Sequence, residues 1–152
     1  MKNLLIIAVF LFVFADLQSQ EYMIVTTVES IVPMGIGRSR MIVQKEEVNV
    51  DDFTTTRTDG KKSDQKNISR SDVKINNFDE TKLLNFYSVA GINFQNIASN
   101  DALITDKINK LVEKGWELKF VTSAVESDAG KDDGEGIFIT RFIFFRSGKP
   151  LD

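Results

Sequence analysis

The sequence predicts an α+β domain: a mainly antiparallel sheet of about four strands with one helix packed on a face and a long polar insertion loop. Three observations carry this. Segments rich in Val, Ile, Thr and Phe stand near both ends of the chain, at Tyr22 to Ile31 and Ile137 to Arg146. A single helical stripe lies between them, at Ile104, Ile108, Leu111 and Val112. Gly115 then separates that helix from a further strand.

The chain starts with Lys2 and an unbroken apolar run from Leu4 to Ala15. A basic start before a run of this length predicts a secretory signal peptide over residues 1–19. The run is shorter than the roughly 20 residues of a membrane span. Small residues near Ala15 and Ser19 suit cleavage, and no Cys is present to carry a lipid. The mature part is then one domain, residues 20–147, with a short tail at 148–152.

Tyr22 to Ile31 is the first strand by composition. Pro33-Met34-Gly35-Ile36-Gly37 is turn chemistry, and Arg40 to Val43 resumes β character, so the two strands predict a hairpin. Residues 44–77 are then nearly all polar, with Val48, Val50, Phe53, Ile68, Val73 and Ile75 the apolar exceptions. Such a segment buries too little surface to offset its ordering entropy, which predicts a flexible surface insertion. Phe78 to Ile97 fits either a short helix or an extended cover.

The helix is expected from Asn100 to Lys114, capped by Ser99 or Asn100. Gly115 is placed to close it in a left-handed conformation. Trp116 to Val125 reads as a strand with Trp116, Leu118 and Phe120 on one face. A polar loop, Asp128 to Gly136, leads to the last strand. That strand is apolar on both sides: Ile137, Ile139, Ile143 and Phe145 on one, Phe138, Phe142 and Phe144 on the other. Strands of this kind are normally covered twice. The helix covers one side. The Phe78 to Ile97 segment is the first candidate for the other, with a second subunit or an apolar ligand as alternatives.

The 152 residues contain no His and no Cys. This excludes disulfides, thiolate or imidazole metal sites, and Ser-His or Cys-His catalysis. The net charge of −3 argues against a nucleic-acid binder, which needs a basic patch.

The strand with Tyr22 and Val28, the helix running into Gly115-Trp116-Glu117-Leu118, and the final pair of strands together resemble a small bacterial family, the domain of unknown function DUF4177. The resemblance covers about half the mature chain. It implies a fold and no activity, and it brings no catalytic residues. The insertion and the signal peptide depart from the short form of the family. Physically, Gly115, Trp116, Leu118 and Phe142 read as structural residues, with the indole dropping onto the helix stripe.

Two polar motifs are candidate sites. Gly35-Ile36-Gly37-Arg38-Ser39-Arg40 could cradle an anion, with Gly35 and Gly37 freeing backbone N–H groups and Arg38 and Arg40 supplying charge. It lacks the Lys-Ser/Thr ending of a phosphate loop, and a hairpin turn with solvated arginines is the favoured reading. Asp128, Asp132, Asp133 and Glu135 offer oxygen ligands for Ca²⁺, though their spacing fails the EF-hand template. No cofactor is implied. The expected function is a non-catalytic exported domain that binds a protein or envelope component or self-associates as a homodimer. A small apolar-ligand binder and a hydrolase without His or Cys are the alternatives, and no membrane span is expected after signal cleavage.

Overall fold

The computed structural model of the chain describes residues 20–31, 39–88, 90–126 and 136–148. The expected signal peptide, the turn from Pro33 to Gly37, and the carboxylates of the Asp128 to Glu135 loop lie outside the described residues.

The fold is mixed α and β. The strands are β1 (Gln20–Ser30), β2 (Arg40–Gln44), β3 (Phe78–Lys82), β4 (Tyr87–Ser88), β5 (Gly91–Ile92), β6 (Glu117–Val125) and β7 (Ile137–Ser147). Among the described residues the α-helices are the single turn α1 (Arg70–Val73) and the long α2 (Phe94–Glu113). The main sheet is antiparallel, in the order β3-β2-β1-β7-β6, and β4 and β5 form a separate two-stranded sheet. The first and last strands pair along their whole length, from Gln20↔Ser147 to Ser30↔Ile137, and form the centre of the sheet. Both expected hairpin pairings are present, β1 with β2 and β6 with β7.

The main sheet has five strands where the sequence predicts about four. The addition is β3, whose sequence is Phe78-Asp79-Glu80-Thr81-Lys82. No hydropathy alternation marks it. An edge strand with charged side chains can be held by backbone pairing to one neighbour alone. It pairs with β2 from Gln44↔Phe78 to Arg40↔Lys82.

Register sorts the side chains into two faces. Val25, Thr27, Met41, Val43, Phe142 and Phe144 point to the helix side. Val25, Met41, Val43 and Phe144 form the buried core there with Leu83, Leu111 and Trp116. From the helix, Leu111 is buried, Ile108 packs against the core, and Val112 is 53% exposed, so the stripe is narrower than its sequence pattern.

The helix begins six positions before its expected start. Asn93 is the N-cap, its side chain accepting from the Asn96 N–H at 3.1 Å. Asn100 sits inside the helix and is fully buried. Its Oδ1 accepts from the Leu84 N–H at 2.8 Å, and its Nδ2 donates to the Leu84 carbonyl at 2.8 Å and to Glu29 Oε1 at 2.9 Å. One amide side chain thus pairs both backbone groups of the segment beside it.

At the other end, Gly115 (φ 81°) closes the helix as expected. The Gly115 N–H bonds the Val112 carbonyl and the Trp116 N–H bonds the Leu111 carbonyl, the double bond of a Schellman cap. Trp116 then turns into the core beside Leu111. The Arg146 guanidinium lies 4.5 Å above its ring and is held on the far side by Glu21.

Residues 44–77 contain three single-turn helices, Val50–Phe53, Asp64–Asn67 and Arg70–Val73, with no buried residue in any of them. Asn49, Ser63 and Ser69 cap them through their side chains.

Candidate functional site

The segment after β3 does not reach the second side of the sheet. Leu83 is buried in the core on the helix side. The Phe86 ring packs 5.8 Å from that of Phe138, which also points to the helix side. Two further bonds pin the segment: the Ser30 carbonyl takes the Phe86 N–H, and Ser39 Oγ donates to Asn85 Oδ1 at 2.6 Å. The expected cover is therefore spent at the end of the sheet already occupied by the helix.

Among the described residues, no segment covers the opposite face. By register it carries Tyr22, Ile24, Thr26 and Val28 from β1, Ile139, Arg141, Ile143 and Phe145 from β7, and Ile42 from β2. Phe120 of β6 joins them opposite Ile143. Tyr22 is 63% exposed, Ile24 46% and Phe120 65%. Tyr22 and Phe145 pack as a tilted pair with centroids 5.3 Å apart, and Lys119 Nζ lies 5.3 Å over the Phe145 ring. Arg141 lies in a row between Thr26 and Thr122, flanked along its own strand by Ile139 and Ile143.

Phe120 reaches this face through a β-bulge. The register shifts between Leu118 and Phe120, so Leu118 and Val121 share the helix side and Phe120 falls on the other. The expected shared face of Trp116, Leu118 and Phe120 is thereby corrected. Strict alternation cannot foresee one inserted residue.

Gly35, Gly37 and Arg38 lie outside the described residues. Arg40 donates Nη1 to the Ser39 carbonyl at 2.9 Å and pairs through Nε with Glu80 at 3.3 Å. Asp128, Asp132, Asp133 and Glu135 also lie outside, and among the described residues no three carboxylates gather to hold a metal ion. Trp116 is buried, Phe142 is half-buried against the core, and Leu118 is at the rim with 36% exposure.

Two features went unforeseen. A cleft of about 170 Å³ opens in the insertion, lined by Glu46, Asp52, Phe53, Asp72 and Lys74 among others. The second is the polar cluster that includes Glu29 and Asn100. Burial raises the Glu29 carboxyl above its ordinary value, the Asn100 hydrogen bond lowers it, and the nearby Asp101 raises it further. The signal for Asn100 was present: it lies four residues before Ile104, on the same side of the helix, where a polar group needs partners. Among the described residues, no helix is long and apolar enough to cross a membrane.

No protein-family model matches the chain, and no curated protein or solved structure is significantly similar to it.

Proposed function

We propose that the chain is an exported, non-catalytic binding domain whose open sheet face recognises a protein or another envelope component. The observation that supports this most is the exposure of Tyr22, Ile24 and Phe120 on a contiguous apolar face. Contiguous exposed apolar surface on a folded domain marks an interaction site. Three neighbouring strands, β1, β7 and β6, carry the apolar part of this face, and Arg40, Glu80 and Lys82 border it on β2 and β3, the apolar centre and polar rim of a protein interface. A small ligand needs a concave site instead, which favours a macromolecular partner over the apolar-ligand reading. Export rests on the signal-peptide pattern at residues 1–19, and kinship with the DUF4177 family rests on the Gly115-Trp116-Glu117-Leu118 motif.

A double variant, Tyr22→Ser with Ile24→Ser, tests the reading. Mature wild-type and variant proteins are immobilised and exposed to the envelope fraction of the producing cell. A component held by the wild type and lost by the variant, at equal melting temperature, is expected. Identical retention by both proteins removes the open face as the recognition surface.

A further inference from the structure

The two edges of the main sheet are built differently. The β3 edge is short, and four of its five residues are charged or polar. Asp79 pairs with Lys45 at 2.6 Å and Glu80 with Arg40 at 3.3 Å. Short length and charge are the usual guards against pairing with another strand.

The β6 edge has nine residues, all of them exposed. It supplies nothing to the buried core, yet Phe120 is 65% exposed, Val121 53% and Val125 58%. Among the described residues its guards stand at the end that follows the helix: the bulge between Leu118 and Phe120, and the Glu117–Lys119 ion pair at 2.7 Å. From Phe120 to Val125 the edge carries no charge and no proline. Among the described residues, β6 pairs with β7 alone.

We infer that Val121–Val125 of β6 pairs antiparallel with the same segment of a second copy, joining two five-stranded sheets into one of ten strands. The occupant follows from self-complementarity. Opposite residues in an antiparallel pair share a face. With Ser123 on the two-fold axis, Val121 meets the other copy's Val125 on the helix side, and Thr122 meets the other copy's Ala124 on the open side. Both exposed valines then gain apolar partners, and no charge opposes its like. The Glu117–Lys119 ion pair stays outside the seam. Because the axis stands perpendicular to the sheet, both helices fall on one side and both open faces on the other. This pairing rests on the reading of the chain as a binding domain. It is separable from the open face, because Tyr22 and Ile24 lie two strands away from the seam.

The absence of cysteine makes the test direct. In the mature full-length chain, Ser123→Cys places a thiol on the proposed axis, and Thr105→Cys places one on the exposed side of α2. Under mild oxidation, Ser123→Cys is expected to give disulfide-linked dimer much faster than Thr105→Cys. Light scattering of the cysteine-free protein is expected to show a dimer, and Val121→Lys a monomer that keeps the wild-type circular dichroism spectrum. A wild-type monomer at high micromolar concentration, or equal cross-linking of the two cysteine variants, overturns the pairing. Either result leaves retention by the Tyr22 and Ile24 face unaffected. If that retention fails while Ser123→Cys still cross-links, the envelope-binding reading falls and the dimer stands.

Discussion

The two faces of the sheet are made from similar residues and do different work. On the helix side, Val25, Met41, Val43 and Phe144 meet Leu111, Trp116 and Leu83 and lose nearly all contact with water. On the other side, Tyr22, Ile24, Ile143, Phe145 and Phe120 meet each other and then solvent. Hydrophobic content alone therefore does not locate the core. The difference comes from which face the helix and the Leu83 to Asn93 segment reach, and buried polar bonds set that: Asn100 to Leu84, Ser39 to Asn85, and Phe86 to Ser30.

The sharpest break between the faces is expected for matched aromatic truncations. Phe144 is fully buried, so Phe144→Ala removes the transfer energy of the ring and leaves a cavity, costing about 3–5 kcal/mol. Phe120→Ala removes a ring that is already 65% exposed, and its effect is expected within about 0.5 kcal/mol. Denaturant midpoints of the two variants measure the contrast. Equal losses would mean that the open face is packed against something in solution.

Much of this arrangement was legible in the sequence. The alternating Phe and Ile of β7 mark a strand apolar on both sides, and its register with β1 places those two sets on opposite faces. The stop at Gly115 and the inward turn of Trp116 also follow from sequence, because only a left-handed residue and a large apolar one suit those positions. The start of α2 was not legible. Asn100 resembles a cap in isolation, and its true partner, Leu84, lies outside the local window. The face of Phe120 is illegible for a different reason: a bulge is set by pairing with β7, and the local hydropathy pattern carries no trace of it. The open face itself could be read only as a demand for a cover. Which segment met that demand depended on long-range hydrogen bonds.

A smaller effect separates the hydroxyls on the two faces. Thr27 is 1% exposed on the helix side, and its Oγ1 has no hydrogen-bond partner. Burying an unpaired hydroxyl costs about 1–2 kcal/mol in proteins, and valine matches the shape without the polar atom. Thr27→Val is therefore expected to stabilise the fold by about 1 kcal/mol. Thr122→Val, on the exposed strand β6, is expected to change little. Destabilisation by Thr27→Val would mean that the hydroxyl is bonded in solution.

The carboxylates extend the comparison to pH, with the smallest effect. Glu29 is half-buried on the helix side, and its carboxyl is raised above the ordinary 4.5, chiefly by burial. Below the ordinary value it is protonated in folded and unfolded chains alike, so it carries no penalty. As pH rises through the folded value the buried charge appears, and the folded state loses stability relative to the unfolded one. Glu29→Gln removes that charge and keeps an oxygen to accept from Asn100 Nδ2. The variant is expected to match the wild type near pH 4 and to exceed it at pH 7 by at most about 1 kcal/mol, given solvent screening. Asp79 on the exposed β3 edge runs the other way. Its hydrogen bond from Lys45 holds it below the ordinary value, so its contribution is present at neutral pH and is lost as pH falls through the folded value. Melting curves of Glu29→Gln should rise above wild type as pH rises from 4 to 7, whereas Asp79→Asn should lie below wild type throughout that range and converge on it only as pH falls below the ordinary aspartate value of 3.8. If Glu29→Gln instead melts lower than wild type at pH 7, the charged form of Glu29 stabilises the Asn100 clamp, and burial is the weaker influence on that carboxyl.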